Sequence, residues 1–389
     1  MRVEAADTDR CPACDASVCH LVDWKYSGLG KSIFNYTAQF YSCRDCGIVF
    51  VNNMSDARLA EYYAEECSYF ENAHFSVTSP ENREKYSAYA GVLRQHAIDS
   101  VPMADVGCGR GGFVTWLGQY GWDAACWGVD VDVRSLQQGC VASPNVTFRT
   151  GDALHLPFED GHLGLLTYFH VLEHIRDVHG LLREADRVLE PGGQLLIEVP
   201  DAERYGEFPI GSAFWISIRE HIFHFTARAL TAVLRAHGFE VREVVRKTLP
   251  TPEFAYPSLM VLGQKTGKLS PAVCTPSAGD VAAHLLESKE ALLRQVRDIQ
   301  AIAEKQPVTI WGCSAELFSV LPLLDLRDYR ICDSSKRKQQ AQYQGRAVED
   351  PASVPVEGTL IVAPYLHGAA IQSAAGRLGW PAHAIYLLH

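Results

Sequence analysis

Strand-like and helix-like segments alternate regularly from Met103 onward. Short apolar runs rich in β-forming residues are separated by segments with helical periodicity. The predicted strands of this stretch are Met103–Val106, Ala124–Val129, Val146–Arg149, Leu163–Phe169 and Gln194–Val199. Such alternation is typical of βαβ units, in which helices cover both faces of a parallel sheet. The sequence therefore predicts an α/β fold with a mostly parallel, doubly wound sheet.

A second alternation of the same kind occupies the C-terminal part of the chain. A helix-like run covers Asp280–Lys305. Four strand candidates follow it, at Val308–Gly312, Tyr329–Asp333, Thr359–Val362 and Ala384–Leu388. A chain of 389 residues has room for about two or three domains. We therefore expect a second, smaller Rossmann-like domain after the first.

Two cysteine pairs with two-residue spacers lie near the N-terminus. Their members are Cys11, Cys14, Cys43 and Cys46. A two-residue spacer lets both sulfurs of a pair face one point, so two pairs can surround a zinc ion tetrahedrally. Disulfide bonds would need an oxidising compartment, for which the sequence carries no targeting signal. We expect a structural Zn²⁺, because four sulfur ligands leave no open position for water.

The charge balance argues against some classes of function. The chain has 46 acidic and 35 basic side chains, a formal net charge of −11. Such a chain is not expected to attract nucleic acid or an anionic membrane. The N-terminus has no signal-peptide core, and no apolar run approaches the ~18 residues of a membrane span. We expect a cytoplasmic monomer or homodimer whose partner is a small molecule.

A glycine-rich loop lies between the first strand and the first helix of the α/β core. Its sequence is Asp105-Val-Gly107-Cys-Gly109-Arg-Gly111-Gly112. Glycine permits positive φ and close approach of a ligand to the backbone, and the following helix offers free N–H groups. The same residues satisfy the G-x-G-x-x-G pattern of dinucleotide-binding proteins. The loop alone is therefore compatible with NAD as well as with other nucleoside cofactors.

Three later features accompany the loop. Asp130 ends the next strand, where a carboxylate can accept hydrogen bonds from both ribose hydroxyls. Gly151-Asp152-Ala153 ends the third strand, and Glu190-Pro-Gly-Gly193 makes a turn into the strand Gln194–Val199. In order and spacing, residues 101–265 resemble the class I S-adenosylmethionine-dependent methyltransferases.

The resemblance implies a cofactor and the residues that bind it. The cofactor is S-adenosylmethionine, Asp130 holds its ribose, and Asp152 and Ala153 flank its adenine. The other predicted cofactor residues are those of the loop and the residue that ends the fourth strand, namely Asp105, Gly107, Gly109, Gly111 and His170.

The segment His170-Val-Leu-Glu173-His174 also fits the H-x-x-E-H pattern of zinc peptidases. That chemistry needs both histidines on one face of a helix, whereas His170 ends a predicted strand. Open α/β sheets bind ligands at the carboxyl ends of their strands. We therefore expect this segment to face cofactor and substrate rather than a catalytic metal.

The four-cysteine module, the methyltransferase-like core and the small C-terminal domain together resemble the deoxysugar C-methyltransferases of antibiotic biosynthesis. That resemblance implies a nucleotide-linked keto-sugar as substrate, held between the core and the C-terminal domain. It places Glu220, His221 and His174 near the reacting carbon, with His221 as the first candidate for the general base and Glu220 assisting it. Candidate substrate-binding residues are His224, Trp215 and Tyr86.

The chain departs from that family at particular positions. The family tends to have asparagine where His170 stands and a small residue where Glu173 stands. The glycine-rich segment usual before the last core strand is replaced by Pro252-Glu-Phe-Ala-Tyr-Pro257. These departures concern the substrate more than the transfer of a methyl group.

These features divide the chain into four predicted parts. They are a zinc-binding ribbon (1–53), a helical connector (54–99), an S-adenosylmethionine-binding methyltransferase domain (100–267) and a C-terminal Rossmann-like α/β domain (268–389). Three alternatives remain open at this point: an O- or N-methyltransferase with the same parts, an NAD-dependent dehydrogenase, and a non-catalytic zinc-ribbon scaffold.

Overall fold

A computed structural model describes residues 10–67, 76–137, 143–208, 214–251, 254–269 and 280–388. The chain forms two compact units. The first unit comprises Met1–His20, Tyr41–Phe208 and Ile222–Val281, and the second comprises Leu21–Phe40, Pro209–His221 and Ala282–His389. The division into four parts with the boundaries given above stays a prediction.

The strands are numbered in chain order. They are β1 (Val18–Lys25), β2 (Thr37–Cys43), β3 (Val49–Val51), β4 (Met103–Val106), β5 (Cys126–Asp130), β6 (Val146–Thr150), β7 (Leu163–Phe169), β8 (Leu189–Pro200), β9 (Phe223–His224), β10 (Phe239–Pro250), β11 (Ala255–Lys265), β12 (Val308–Trp311), β13 (Tyr329–Cys332), β14 (Gln342–Tyr343), β15 (Arg346–Glu349), β16 (Thr359–Val362) and β17 (Ile385–Leu387).

The helices are numbered in the same way. They are α1 (Asp56–Glu61), α2 (Pro80–Gln95), α3 (Gly112–Gln119), α4 (Val133–Gln137), α5 (Val178–Val188), α6 (Phe214–Ser217), α7 (Ala227–Ala236), α8 (Asp280–Ala303), α9 (Ala315–Val320) and α10 (Gly368–Arg377). Among the described residues, no helix combines the length and the apolar character that a membrane span requires.

The first unit is built on a seven-stranded sheet with the order β10-β11-β8-β7-β4-β5-β6. Strands β4 to β8 are mutually parallel where they pair, and β10 and β11 add an antiparallel edge. Strand β7 is buried along almost its whole length, as expected for a strand covered on both faces. The predicted α/β class with a mostly parallel sheet is confirmed. The carboxyl ends of β4, β5, β6 and β7 meet at one edge.

Two of the longer helices begin at hydroxyl side chains that cap them. Ser79 accepts a hydrogen bond from the backbone of Asn82 and is followed by Pro80 at the first position of α2. Thr226 caps α7 in the same manner, accepting from the N–H of Ala229. Both choices follow the preference for hydroxyl side chains at the N-cap and proline in the first turn.

The turn predicted at Glu190-Pro-Gly-Gly193 lies inside a strand. β8 begins at Leu189, pairs with Leu163, and resumes regular pairing with β7 only at Gln194. Gly192 has a φ of 83° in this stretch. The glycines therefore form an irregularity within β8, because they can bend the strand without ending it.

A small sheet with the order β1-β2-β3-β9 lies in the N-terminal region. β3 pairs antiparallel with β9, with Val49 opposite His224. His224 thus belongs to a strand and not to the start of a helix, and α7 begins after the cap at Thr226.

The second unit contains a six-stranded sheet with the order β14-β15-β13-β12-β16-β17. β12 pairs in parallel with both β13 and β16, and β16 pairs in parallel with β17. The predicted extra C-terminal parallel sheet is confirmed. Strands β14 and β15 escaped prediction because they are two and four residues long and mostly polar. One face of the sheet packs on a core of Trp311, Cys332, Val354, Leu360, Val362, Ala375 and Trp380.

Candidate functional site

The four paired cysteines converge on one point of the first unit. Their Sγ atoms all lie within 4.8 Å of one another. The Sγ atoms of Cys11 and Cys46 are 3.6 Å apart, as are those of Cys14 and Cys43. Sulfurs of a disulfide are ~2.05 Å apart, whereas two sulfurs bound tetrahedrally to zinc at ~2.3 Å lie roughly 3.8 Å apart. The spacing fits ligands of one shared metal ion.

Both cysteine pairs are turned by the same backbone hydrogen bond. The N–H of Asp15 donates to the carbonyl of Cys11, and the N–H of Gly47 donates to that of Cys43, each at 2.9 Å. Asp15 and Gly47 both have positive φ, 60° and 76°. Glycine adopts this conformation without a Cβ penalty. The same hydrogen-bonded turn, with a positive-φ residue at its end, therefore holds each cysteine pair.

The glycine loop connects β4 to α3 at the carboxyl edge of the sheet. Gly107, Gly109 and Gly111 have φ values of 72°, 55° and 71°. A Cβ on Gly107 would meet Val171 Cγ2 at 2.4 Å, and one on Gly111 would meet Phe148 Cε1 at 2.0 Å. A Cβ on Gly109 would meet no heavy atom of the described residues within 4 Å. Two of the glycines are thus required by packing, and the middle one borders open space that a ligand can enter.

Asp130 closes the loop from the neighbouring strand. Its Oδ2 accepts a hydrogen bond from the N–H of Gly109 at 2.7 Å, and its Oδ1 accepts one from the N–H of Asp132 at 2.8 Å. Burial raises the pKa of Asp130 above its ordinary value, although these backbone N–H groups act in the opposite direction. A carboxylate has about four acceptor positions. With the N–H of Val131 also bound to this carboxylate, acceptor capacity is left for a donor of a ligand.

Asp105 lies beneath the loop and not at its surface. It is 4% exposed, and its Oδ1 accepts a hydrogen bond from the hydroxyl of Thr167 at 2.7 Å. Burial raises its pKa to about 7, with a further contribution from Asp130. The structure therefore places Asp105 where it supports the end of β4, and its predicted contact with a cofactor stays a prediction.

Asp152 and Ala153 follow β6 at the same edge of the sheet. Asp152 is exposed, and its Oδ1 accepts a hydrogen bond from the N–H of Leu154 at 2.9 Å. Ala153 is buried. The loop thus presents one polar and one small apolar side chain, and their predicted contact with adenine stays a prediction.

A hydrogen-bond network surrounds His170, which ends β7 with a φ of 56°. His170 Nδ1 is 3.0 Å from Glu173 Oε1, and Nε2 is 3.0 Å from the Tyr256 hydroxyl and 3.5 Å from Glu198 Oε2. Burial lowers the pKa of His170, but the carboxylates of Glu198 and Glu173 outweigh burial, so the pKa is raised. A non-glycine residue in this backbone region is strained, and such strain concentrates at functional sites.

Glu198 is the centre of the network. It is fully buried, and its two oxygens accept hydrogen bonds from Tyr89 at 2.5 Å, Tyr256 at 2.8 Å and Ser258 at 2.6 Å. These hydroxyls offset the cost of burying a carboxylate. Sequence reasoning missed Glu198 and its three partners. The available signal was an acidic residue within the apolar run Leu195–Val199, because a buried charge requires partners.

Three residues from segments singled out in the sequence analysis meet in this network. They are His170, Glu173 and Tyr256, which lie on different segments of the chain. His170 contacts both of the other residues, so the three belong to one hydrogen-bond network.

Three other predicted residues occupy buried or half-buried positions in the first unit. His174 ends a short 3₁₀ turn, and its ring lies 6.2 Å from that of Tyr63. Tyr86 packs on α3, with its ring 5.8 Å from that of Phe113. His224 is 1% exposed, with Nδ1 3.2 Å from the hydroxyl of Tyr205. Their predicted roles in catalysis or substrate binding stay predictions.

The remaining predicted residues lie in the second unit. Trp215 belongs to α6 and is buried, as is Glu220. His221 is half-buried, and its N–H donates to the carbonyl of Ile218 at 3.0 Å. The predicted partnership of Glu220 and His221 as a base stays a prediction.

Comparison with known proteins finds similarity over part of the chain. Residues 92–244 match the family model described as a methyltransferase domain. An ajmaline N-methyltransferase of Rauvolfia serpentina is 34% identical over 101 residues, which are 24% of this chain and 34% of that protein. A probable chloroplastic tocopherol O-methyltransferase of Oryza sativa subsp. japonica is 32% identical over 121 residues, 29% of this chain and 33% of that protein.

The chain thus spans about a third of the length of these two curated relatives. A solved structure of an S-adenosylmethionine-dependent methyltransferase from Aquifex aeolicus superposes with a TM-score of 0.39 at 17% identity, covering 49% of this chain and 99% of that one. Residues 92–244 are thus similar to a methyltransferase domain, and the parallel sheet with its glycine loop lies in this stretch of the chain.

Proposed function

We propose that this chain is an S-adenosylmethionine-dependent methyltransferase of a small molecule, and that its reaction is C-methylation of a nucleotide-linked keto-sugar. The observation that carries the first part is the cradle formed by Gly109 and Asp130. At this cradle, open space beside the glycine loop adjoins a carboxylate that can accept further hydrogen bonds. The second part rests on the resemblance in architecture to deoxysugar C-methyltransferases.

The cofactor residues have distinct tasks in this proposal. S-adenosylmethionine supplies an electrophilic methyl group on a sulfonium. Asp130 accepts hydrogen bonds from the ribose hydroxyls, and Asp152 and Ala153 flank the adenine. The methionine end lies along the loop at Gly107, Gly109 and Gly111, with His170 at the neighbouring strand end.

The acceptor must lose a proton when carbon is methylated. The electron pair of the C–H bond would form the new C–C bond and the proton would pass to a base, while the methyl–sulfur bond would break with its electron pair left on sulfur, giving S-adenosylhomocysteine. We assign that base to His221 with Glu220, and His174 is the second candidate. A positioned base contributes about 10²–10⁴-fold, and alignment of methyl group and acceptor contributes the rest.

Calorimetric titration of the full chain tests the cofactor. S-adenosylmethionine and S-adenosylhomocysteine should bind with about one site per chain, and NAD should not. Tight binding of NAD without binding of the sulfonium cofactor would identify a dehydrogenase. Absence of turnover with every acceptor, despite tight cofactor binding, would favour the non-catalytic scaffold.

Mass spectrometry with isotopically labelled methyl groups tests the acceptor. We expect transfer to keto-sugar nucleotides, with the methyl carbon bound to carbon in the NMR spectrum of the product. The relatives include proteins named as N- and O-methyltransferases, so amine and hydroxyl acceptors belong in the same panel. A product methylated on oxygen or nitrogen would replace the C-methylation proposal.

Two substitutions of one residue test the base. His221→Ala and His221→Asn should lower kcat by at least 10²-fold while leaving cofactor affinity unchanged. His383→Asn, at an exposed histidine of the second unit, is the matched control and should have normal turnover. Unchanged kcat in both His221 variants would remove this residue from the chemistry.

We also propose that Cys11, Cys14, Cys43 and Cys46 hold a structural Zn²⁺. Metal analysis of the purified chain should find about one zinc per chain. Cys43→Ser should lose the metal and loosen the N-terminal module, whereas Cys126→Ser, at a buried cysteine of β5, should keep it. Full metal content in Cys43→Ser would contradict the assignment.

A further inference from the structure

A short turn after α6 carries both Glu220 and His221 in the second unit. The N–H of His221 donates to the carbonyl of Ile218 at 3.0 Å, so residues 218–221 form one hydrogen-bonded turn. Glu220 is 8% exposed. A turn has no helix or strand pairing of its own, so its position depends on the elements against which it packs.

The loop between β1 and β2, residues 26–36, holds the chain just before this turn. The N–H of Tyr26 donates to the carbonyl of Tyr36 at 2.9 Å and closes the loop. The hydroxyl of Tyr26 donates to the carbonyl of Ile216 in α6 at 2.5 Å. Burial raises the pKa of Tyr26 well above its ordinary value, and the charge of Glu220 contributes to the rise, so the hydroxyl remains a donor.

Arg219, inside the turn, makes a second attachment to the 26–36 loop. Its Nη1 donates to the carbonyl of Ser27 at 2.5 Å, and its guanidinium carbon lies 4.3 Å from the centroid of the Phe34 ring. Phe34 is fully buried. A guanidinium that stacks on a buried ring and also donates to a carbonyl has one preferred orientation. The turn and the loop are therefore joined at two points.

The 26–36 loop is itself attached to the C-terminal part of the second unit. The N–H and the hydroxyl of Ser27 both donate to the carbonyl of Phe318 in α9, at 3.0 and 3.2 Å. The N–H of Gly30 donates to the carbonyl of Gln342 in β14 at 2.8 Å. A continuous series of contacts within the second unit thus runs from α9 and β14 through the loop to the turn.

We propose that Arg219 and Tyr26 are positioning residues of methyl transfer, which hold the turn 218–221 in the orientation that its base requires. This inference rests on the proposed function, in which His221 of that turn is the base. A displacement of about 1 Å at a reacting group can cost about 10²-fold in rate. The loop between the two cysteine pairs therefore has a task in the reaction besides joining them.

Steady-state methyl transfer to keto-sugar nucleotides by the full chain tests the inference. Arg219→Met should lower kcat about tenfold and leave the KM of S-adenosylmethionine and the affinity for S-adenosylhomocysteine unchanged. Arg219→Lys should recover part of this loss, because an ammonium group can also stack on the Phe34 ring and donate to a carbonyl. Tyr26→Phe should lower kcat about threefold, since it removes a single hydrogen bond.

Arg346→Met is the matched control. The guanidinium of Arg346 also lies 4.3 Å from the centroid of an aromatic ring, that of Tyr329, and it donates to the carbonyl of Arg327 at 2.8 Å. This variant should have normal kcat. An equal loss in Arg346→Met and Arg219→Met would show a general effect on the second unit and would overturn the inference.

The double variant Arg219→Met/His221→Ala separates the inference from the proposed base. If Arg219 acts through His221, the double variant should be no slower than His221→Ala alone. Losses that multiply would overturn the positioning role. Normal kcat in His221→Ala would contradict the proposed base itself, whereas a loss in His221→Ala with normal kcat in Arg219→Met would overturn only the positioning role.

Histidine-selective NMR gives a readout that requires no turnover. The ring signals of His221 should shift in Arg219→Met and in Tyr26→Phe but not in Arg346→Met. Native hydrogen exchange of β12 in the same samples shows that the second unit is folded. Unshifted His221 signals in a folded Arg219→Met variant would overturn the inference.

Discussion

The two parallel sheets of this protein hold an aspartate in the same way but surround it differently. Asp130 and Asp333 each accept one hydrogen bond from a glycine-containing loop and one from their own turn. Further carboxylates lie around Asp130, among them Asp105 and Asp132. The charge of Asp132 raises the pKa of Asp130, and the charge of Asp130 raises the pKa of Asp105. Asp333 instead lies beside a cation, because Lys338 Nζ is 3.3 Å from its Oδ2.

This difference shows that the fold determines the position of the carboxylate, whereas neighbouring side chains determine the charge around it. The strand–loop–helix topology places a carboxylate beside free backbone in both units. The neighbouring charges then select the ligand. An acidic surrounding favours a cationic ligand such as a sulfonium, whereas the ammonium group of Lys338 already pairs with Asp333.

The largest effect, a loss of stability, is expected from replacing the glycine of either loop, Gly111 after β4 or Gly312 after β12. A Cβ at Gly111 would lie 2.0 Å from the Phe148 ring, and one at Gly312 would lie 2.3 Å from Pro364. Gly111→Ala and Gly312→Ala should each destabilise their own unit by about 3 kcal/mol, from a left-handed backbone and overpacking. Hydrogen exchange of β5 and β13 measures this.

Gly345→Ala is the matched control for these substitutions. Gly345 has a φ of 82°, but a Cβ there would meet no heavy atom of the described residues within 4 Å. The variant should lose only about 1 kcal/mol. Equal destabilisation by all three substitutions would show that the close contacts do not matter.

A slightly smaller effect is expected from removing the carboxylates themselves. Asp130→Ala should weaken S-adenosylmethionine about 100-fold, because two hydrogen bonds to a charged acceptor are lost. Asp333→Ala should leave that affinity unchanged. Calorimetry on both variants decides whether the cofactor depends on Asp130 alone, and equal losses would contradict the comparison.

The stability of the first unit should fall as pH rises from about 5 to 7. The pKa of Asp105 is raised to about 7 in the fold against 3.8 for the ordinary side chain. The folded state therefore binds more protons than the unfolded state in this window, which costs about 2 kcal/mol of stability by pH 7. Asp105→Asn should remove this dependence, as followed by denaturant unfolding monitored at β4. A slope that persists in the variant would assign it to other groups.

The smallest effect is expected from neutralising Glu198, which lies 3.5 Å from Nε2 of the predicted cofactor residue His170. Glu198→Gln should weaken S-adenosylmethionine about fivefold and leave the uncharged S-adenosylhomocysteine unchanged, because only the sulfonium interacts with the lost charge. Glu243→Gln, at a partly exposed glutamate of β10, is the control. Parallel weakening of both ligands would indicate a purely structural role for Glu198.

Local patterns explain why much of the fold was predictable. The strand Leu163–Phe169 and the strand Thr359–Val362 were predicted with their observed bounds, because continuous apolar runs mark buried parallel strands. The pairs of Cys11 and Cys43 were recognised because their spacing is a local property. Strand β9 was missed, since two residues gain strand structure only by pairing with β3.

The sequence by itself determined the α/β class, the cysteine cluster and the glycine loop with Asp130, because each is encoded by neighbouring residues and their spacing. Only the tertiary structure brought His170, Glu198 and Tyr256 into one network, since they come from strands distant in sequence. It alone also showed that Asp333 repeats the bonds of Asp130. Hydrogen bonds and charges act through space, and the order of the strands in the sheet, not their order in the chain, determines which side chains become neighbours.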